Sequence, residues 1–201
     1  MFLGHRPSPL EVDAFIAASL QLPLSYAPVG LAKQDRPGFR VDVQEVVVGQ
    51  GEAAFVRAKA ALKEWRHFEL GWVEVFPALA AVAPGTVVAV LVRHLGFWSM
   101  NGCRVVYAIG GDGSREFGFA YGTLTNHAET GEELFKVSLR ADTGEVTYVI
   151  RAASKPRALL ARLGYPMTRS LQARFRRDSA AAIAGAISGA GRPISARRDT
   201  A

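Results

Sequence analysis

Five successive segments between residues 86 and 153 alternate apolar and polar side chains, which is the pattern of half-buried β-strands. They cover residues 86–93, 103–110, 117–124, 132–140 and 145–153. The links between them are short, and two contain turn sequences, GGDG at 110–113 and ADTG at 141–144. Asp and Gly tolerate the backbone angles that hairpin turns require. Because short links join antiparallel neighbours, the pattern predicts an antiparallel meander.

Two more segments, 39–48 and 71–76, have strand character, which brings the predicted strands to seven. The sequence 52–65 predicts a helix, because its large apolar residues lie three or four apart. A long amphipathic helix is predicted over 156–187, with a kink at Pro166. Its apolar face carries Met167, Leu171, Phe175, Ile183 and Ile187. The predicted fold class is therefore α+β: a curved antiparallel sheet of six or seven strands packed on a long C-terminal helix.

The ends of the chain differ from this central region. Ser8, Pro9 and Glu11 form a helix-start signal, and a proline-rich irregular connector follows. Residues 1–38 are therefore interpreted as an N-terminal helix and connector, and 39–188 as a single α+β domain. Residues 189–201 are rich in Gly, Ser and Arg, and a disordered basic tail is expected there.

Charge is distributed unevenly along the chain. The net charge is +6 overall, but residues 151–201 carry eleven Lys or Arg and two acidic residues. A basic C-terminal arm could contact nucleic acid, but no aromatic residues lie between its last arginines to stack on bases. A solvated helix face and a loose tail are the favoured interpretation, and nucleic acid is an unlikely partner.

Other sequence features limit the possible classes of protein. The single cysteine, Cys103, excludes an internal disulfide. No apolar leader and no apolar stretch long enough for a membrane span are present, so a cytoplasmic protein is expected. Side chains of His127, Glu129, Glu132 and Glu133 have the chemistry of metal ligands, but a solvated turn is the simpler interpretation. We expect neither a metal nor a cofactor.

Strand parity gives one candidate for a polar site. If Phe135, Val137 and Leu139 face the core, then Glu133 also faces it and Glu132 faces water. An inward carboxylate needs a partner. The candidate partners are Arg104, which would need a bulge near Gly102 to point inward, and Tyr107, Tyr121 and Thr123. The group could serve a ligand pocket, or it could be a purely structural hydrogen-bond cluster.

The motifs CRVVY at 103–107, FGFAYGTLTNHAETGEELF at 117–135 and SKP at 154–156 resemble a family of bacterial and plant domains of unknown function. The family signature is CRVVY, then FxYGTLxxHxExGEExF, then SxP. The order of elements is similar to the helix-grip fold of the START and Bet v 1 superfamily. That resemblance implies a curved sheet around a C-terminal helix and an apolar cavity. It implies no established reaction. This sequence predicts one helix after the first strand, where that superfamily usually has two.

Three functions remain open. The first is the binding of a small, largely apolar ligand between the sheet and the C-terminal helix. The second is an enzyme that uses Glu133 as acid or base in the same pocket, with Tyr107, Tyr121 or His127 assisting. The third is binding of nucleic acid or a protein through the basic C-terminal region. The oligomeric state stays open. The expected ligand-binding residues are Trp72, Arg104, Tyr107, Phe119, Tyr121, Thr123, Glu133, Phe135, Tyr148 and Phe175.

Overall fold

A computed structural model describes residues 1–156 and 165–189 of the chain. The strands are β1 (Phe2–Leu3), β2 (Arg40–Gln50), β3 (Val73–Phe76), β4 (Val87–His94), β5 (Phe97–Ile109), β6 (Glu116–Thr123), β7 (Glu129–Leu139) and β8 (Glu145–Pro156). The helices are α1 (Pro9–Ser19), α2 (Gly51–Lys63) and α3 (Tyr165–Ser188), with a short 3-10 helix at Arg66–Phe68.

The long strands form one antiparallel sheet in the order β2-β8-β7-β6-β5-β4-β3, and β1 pairs with β5. The predicted fold class is thus confirmed as an antiparallel sheet of seven strands packed against a long C-terminal helix. The sequence analysis missed β1 and placed the start of β5 six residues late. The turn before β5 uses Leu95 and Gly96, both with positive φ. Leucine is not a residue that signals such a turn, so the pattern gave no cue.

The inner face of the sheet packs on α2, the 3-10 helix and α3. Phe55, Ala58 and Leu62 of α2 are buried there, as the spacing predicted. The C-terminal part of α3 is also buried, through Ala180, Ile183 and Ile187. These contacts fix the C-terminal part of α3 against the sheet. The N-terminal part of α3 lies above a space.

The start predicted for the C-terminal helix at Pro156 was wrong. Ser154, Lys155 and Pro156 continue β8, where Pro156 pairs with Glu129. A proline can end a strand at a sheet edge position as well as begin a helix, so its presence did not decide between the two. Pro166, where a kink was predicted, lies instead in the first turn of α3, while Gly164 and the tail from residue 190 onward lie outside the described residues.

The outer face of the sheet is covered by the N-terminal part of the chain. Helix α1 begins with the predicted capping box, in which Ser8 and Glu11 bond reciprocally. It packs through Val12 on Leu91 and Met100. The irregular connector then crosses the sheet, and its Tyr26, Leu31 and Ala32 are buried. Both faces of the sheet are therefore covered.

Candidate functional site

A cavity of about 820 Å³ lies between the inner face of the sheet and the N-terminal half of α3. Its sides are mostly apolar, with a few polar groups on the sheet and on α3. The residues that shape its walls, floor and polar end include Phe68, Trp72, Tyr121, Thr123, Glu129, Glu133, Ala152, Leu171, Gln172, Phe175 and Arg176. The cavity exists because α3 makes its tight contacts farther along, around Ile183 and Ile187.

The apolar wall is aromatic and well fixed. The ring centroids of Phe68 and Phe175 are 5.1 Å apart, so the 3-10 helix and α3 meet through these side chains. The indole Nε1 of Trp72 donates a hydrogen bond to Asp178 Oδ2 at 3.1 Å. The guanidinium of Arg174 lies 4.3 Å from the centroid of the Trp72 ring. Trp72 is thus held between α3 and the start of β3, and its orientation does not depend on a ligand.

A row of side chains crosses the inner face at the level of the cavity. Tyr121 pairs with Glu133, Glu133 with Ala152, and Ala152 with Asp42, across β6, β7, β8 and β2. The Tyr121 hydroxyl donates to Glu133 Oε2 at 2.7 Å. Ala152 is the small member of this row, so the space above it is open. The register therefore places one phenol and two carboxylates in one row on the inner face, and Tyr121, Glu133 and Ala152 of this row line the cavity.

Burial raises the pKa of Glu133 to about 7. The hydrogen bond from Tyr121 and the charge of Arg176 act in the opposite direction, and the nearby Glu129 and Asp42 raise the pKa further. Part of the Glu133 side chain still lines the cavity. Burial, together with the charge of Glu133, also raises the pKa of Tyr121 well above its usual value, so Tyr121 acts as a hydrogen-bond donor.

A polar array connects the sheet to α3 at the end of the cavity. Gln172 Nε2 donates to Glu129 Oε1 at 3.1 Å, and Arg169 Nη1 donates to Gln172 Oε1 at 2.7 Å. Arg169 Nη2 donates to Asp42 Oδ1 at 2.6 Å, and Arg176 Nη1 lies 3.9 Å from Asp42 Oδ2. Burial raises the pKa of Glu129, whereas the hydrogen bond from Arg169 lowers the pKa of Asp42.

Five of the residues expected at the site line the cavity: Trp72, Tyr121, Thr123, Glu133 and Phe175. Three others, Phe119, Phe135 and Tyr148, are on the inner face but are fully buried in the core. The Tyr148 hydroxyl is 2.8 Å from Ser179 Oγ, so it ties the sheet to α3. These three support the cavity without lining it.

Arg104 and Tyr107 are on the opposite face, contrary to expectation. Arg104 donates to the carbonyl oxygens of Leu20 and Leu22 at 2.8 and 3.0 Å, which anchors the connector. The bulge in β5 occurs between Val105 and Tyr107, not near Gly102, where Arg104 would have needed one to point inward. A bulge adds one residue and so reverses the side chains that follow it. It turns Tyr107 outward, where its hydroxyl donates to Glu132 Oε1 at 2.9 Å.

The family model described as a domain of unknown function, DUF1990, matches residues 25–182. The chain belongs to the DUF1990 family. A UPF0548 protein of Dictyostelium discoideum is 39% identical over 150 residues, covering 70% of this chain and 69% of that protein. A UPF0548 protein of Deinococcus radiodurans is 36% identical over 194 residues, covering 90% of this chain and 96% of the relative.

Solved structures share the fold of this DUF1990 protein at low identity. A hypothetical protein of Helicobacter pylori superposes with a TM-score of 0.54 at 10% identity, covering 80% of this chain and 96% of that one. An aromatase/cyclase of a Streptomyces species has a TM-score of 0.52 at 15% identity, with 75% and 94% coverage. The fold is helix-grip-like, as the resemblance implied.

The two glutamates of the DUF1990 motif GEE point in opposite directions. Glu132 was expected to face water, but it is buried with 2% of its surface exposed. It accepts hydrogen bonds from the Tyr26 hydroxyl at 2.7 Å and from the amides of Gly30 and Ala32 at 2.8 and 3.1 Å, in addition to Tyr107. Strand parity correctly predicted that Glu132 lies on the outer face. The sequence did not predict that the connector covers this face, because the connector has no periodic pattern.

Sequence reasoning missed several cavity residues of this DUF1990 member. Phe68, Gln172 and Arg176 were not among the expected ligand-binding residues. Glu129 had a detectable signal, since it lies four residues before Glu133 and therefore on the same side of β7. Residues brought in by α3 could not be placed, because nothing in the sequence fixes how a helix is rotated over a sheet.

The carboxylates of the site do not form a metal centre. In the part of the chain that the structure describes, no three His, Cys, Asp or Glu side chains come together as metal ligands. Glu132 and Glu133 cannot share an ion, because the sheet separates them. None of the described helices is long and apolar enough to cross a membrane.

Proposed function

We propose that this protein binds a small, largely apolar molecule in the cavity beneath α3. The observation that carries the proposal is the cavity itself, about 820 Å³ in volume and lined by Phe68, Trp72, Leu171 and Phe175. Small-molecule sites have this size, with apolar walls and a few convergent polar groups. An unfilled apolar space costs stability, and a bound apolar molecule would offset that cost.

The polar groups of the cavity would orient the ligand. Tyr121 and Glu133 form one hydrogen-bonded pair on the floor, 2.7 Å apart. Across the cavity, Gln172 bonds to Glu129. These groups lie on β6, β7 and α3, so a bound molecule would place its polar group against them and its hydrocarbon body against the aromatic wall.

A cavity-filling substitution tests the proposal. Ala152→Phe would place a ring in the open space over the floor, and Ala173→Phe puts the same ring on the exposed side of α3 as a matched control. The neutral fluorescent probe N-phenylnaphthylamine should bind the unmodified protein and the control with similar affinity. Binding to the Ala152 variant should fall by about tenfold or more.

Native mass spectrometry of the purified protein adds an independent measurement, since a retained ligand would appear as an added mass that the Ala152 variant lacks. Absence of probe binding to the unmodified protein, or equal binding to a folded Ala152→Phe variant, would contradict the proposal. Circular dichroism of both variants establishes that they are folded.

Acid–base catalysis in the same cavity is a second candidate, and the position of Glu133 favours it. A carboxylic acid with a pKa of about 7 exchanges its proton readily at neutral pH. The aromatase/cyclase that shares this fold is an enzyme, so the fold is compatible with chemistry on small molecules. Titration of the Glu133 carboxyl by carbon-13 NMR is the test. An ordinary carboxyl pKa would remove this candidate.

The basic C-terminal region offers less support for nucleic-acid binding. In the described part of this region, Arg169 and Arg176 lie beside Asp42, and Arg174 and Arg177 lie beside Asp178. Arg151 pairs with Asp35 on the connector. Each of these five arginines has a carboxylate partner within the chain, so the ligand-binding proposal is preferred.

A further inference from the structure

We propose that the cavity prefers ligands that carry a positively charged amine over neutral or anionic ligands with the same hydrocarbon skeleton. This inference rests on the proposed function and specifies the chemical class of its ligand. It follows from which carboxylates at the polar end of the cavity pair with arginines, and from the aromatic side chains of the cavity wall.

The inner array holds three carboxylates, Asp42, Glu129 and Glu133, and three guanidinium groups, Arg40, Arg169 and Arg176. All three arginines lie beside Asp42: Arg169 Nη2 donates to it at 2.6 Å, and Arg40 and Arg176 lie 3.8 and 3.9 Å away. Asp42 is thus the best neutralised of the three carboxylates.

Neutral groups donate the hydrogen bonds that the other two carboxylates accept. Glu129 accepts from the Gln172 amide at 3.1 and 3.2 Å, and Glu133 accepts from the Tyr121 hydroxyl at 2.7 Å. Both carboxylates line the cavity. The charges of Arg169 and Arg176 act on Glu129 and Glu133, but the hydrogen bonds to these two carboxylates come from neutral donors, so a cation in the cavity could pair directly with either of them.

The aromatic wall suits the same ligand. Phe68, Tyr121 and Phe175 line the cavity beside the carboxylates, with the Phe68 ring 5.1 Å from that of Phe175 and 6.1 Å from that of Tyr121. Aromatic faces carry partial negative charge and attract ammonium groups, and they also pack well against hydrocarbon. An anionic ligand would meet like charges and the same negative ring faces.

The affinity for an amine should depend on pH, because Glu133 gains or loses a proton near neutral pH. The groups that face Glu133 are Tyr121 from β6, Glu129 from β7, Asp42 from β2, Arg176 from α3, Cys103 from β5 and Tyr148 from β8. Below its pKa of about 7, Glu133 is protonated and must release its proton to pair with an ammonium group. Affinity for the amine should therefore rise as pH increases through that value and then level off.

The experiment compares naphthylethylamine, naphthylethanol and naphthylacetate by isothermal titration calorimetry. For the unmodified protein at about pH 8, we expect the amine to bind at least about tenfold more tightly than the alcohol, and naphthylacetate to bind most weakly. In Glu133→Gln the ratio of amine affinity to alcohol affinity should fall below about threefold. Glu45→Gln, on the exposed outer face of β2, should leave all three affinities unchanged.

Changing the pH separates Glu133 from the cavity histidines. His94 and His127 also line the cavity, so the pH dependence is assigned by comparison with Glu133→Gln. If Glu133 is responsible, the rise in amine affinity between about pH 6 and about pH 8 disappears in Glu133→Gln. A rise that persists in this variant overturns the assignment to Glu133.

The outcomes also separate this inference from the proposed function. If naphthylethanol or naphthylacetate binds as tightly as the amine, the preference for a cation is refuted while the ligand-binding function stands. If neither N-phenylnaphthylamine nor any of the three naphthyl compounds binds, both proposals fail together.

Discussion

Glu132 and Glu133 are adjacent in β7 and have the same side chain, but the sheet gives them different chemistry. Glu132 is enclosed by four hydrogen-bond donors on the outer face. Glu133 has the Tyr121 hydroxyl and an open cavity. The difference comes from strand alternation alone, since successive residues project to opposite faces. One carboxylate holds the connector, and the other is available to a ligand.

Replacing Glu133 with glutamine should stabilise the protein at neutral to alkaline pH. Its folded pKa of about 7 lies above the ordinary glutamate value of 4.5, so the folded state binds the extra proton between these values. Stability therefore falls as pH rises through this window, and the full cost of ionising Glu133 is present above it. Urea unfolding should show Glu133→Gln to be more stable by about 1 to 3 kcal/mol above the window.

That advantage should vanish at acidic pH below the window, where Glu133 is protonated in both the folded and the unfolded chain. An advantage that is constant with pH would show that shape, rather than charge, explains the effect.

Replacing Glu132 with glutamine should have the opposite effect. An amide keeps one acceptor oxygen but turns an NH₂ group toward donors, so Tyr26, Tyr107 or the amides of Gly30 and Ala32 lose a partner. We expect a loss of about 2 to 4 kcal/mol in the free energy of unfolding, measured in urea. Glu45→Gln, which removes an exposed carboxylate, should change stability by less than about 0.5 kcal/mol. A similarly small change for Glu132→Gln would show that the four donors do not depend on its charge.

Gly122 allows Tyr26 of the connector to come close enough to contact Glu132. It pairs with Glu132 across β6 and β7. A Cβ atom on Gly122 would lie 2.2 Å from the Tyr26 hydroxyl oxygen, so only glycine admits the tyrosine. The glycine of the YGT motif therefore serves packing between the connector and the sheet.

At the scale of the elements, helix α3 is attached to the sheet by two different kinds of contact. Its C-terminal half is buried through Ala180, Ile183 and Ile187. Its N-terminal half stands over the cavity and is held by the polar array around Asp42. Because apolar burial is the stronger contribution, the two halves should differ in how readily they open.

Asp42→Asn should loosen the N-terminal half of α3 selectively. The substitution removes the charge that pairs with Arg169 and Arg176, while the apolar contacts farther along remain. Hydrogen-exchange mass spectrometry should show faster exchange in peptides from residues 169–176, by about tenfold, and little change in residues 180–187. Asp142→Asn in the exposed turn after β7 is the control. Equal acceleration along the whole helix would refute the division into two halves.

The sequence predicted elements better than it predicted what covers them. Periodicity located seven strands because Phe135, Val137 and their counterparts alternate with polar residues. It failed at Tyr107, because a bulge shifts the alternation by one residue without leaving a sequence mark. It failed at Glu132, because the covering connector is irregular. Trp72 and Phe175 were predicted to line the cavity because they are aromatic as much as because of their positions in the predicted elements. The rotation of α3 over the sheet could not be predicted from the sequence.

At the scale of the whole molecule, an aromatic cluster joins the sheet to the helices around a buried histidine. His67 is fully buried, and its ring lies 4.6 Å from Phe135 and 5.8 Å from Trp65 by centroid distance. Neither ring nitrogen has a hydrogen-bond partner among the described residues. Burial lowers the pKa of His67 to about 3. The core thus contains a group that accepts a proton far more readily after unfolding.

This histidine should make the fold sensitive to acid. Between the ordinary histidine pKa of 6.5 and the folded value of about 3, the unfolded state binds a proton that the folded state does not. Stability is therefore complete above the upper value and falls with pH below it, by up to about 1.4 kcal/mol per pH unit. In urea unfolding across this range, His67→Leu should show a shallower fall than the unmodified protein. Parallel slopes for the two proteins would contradict this role.

The order of the strands also governs when the sheet can form as the chain leaves the ribosome. Strand β2 is made early, but its partner in the sheet is β8, which follows all the other described strands in the sequence. Until β8 emerges, β2 has no strand to pair with. Pairings between distant parts of a chain are slow to form and leave strand edges open meanwhile. A nascent chain that stops before β8 therefore presents an unpaired strand to the cell.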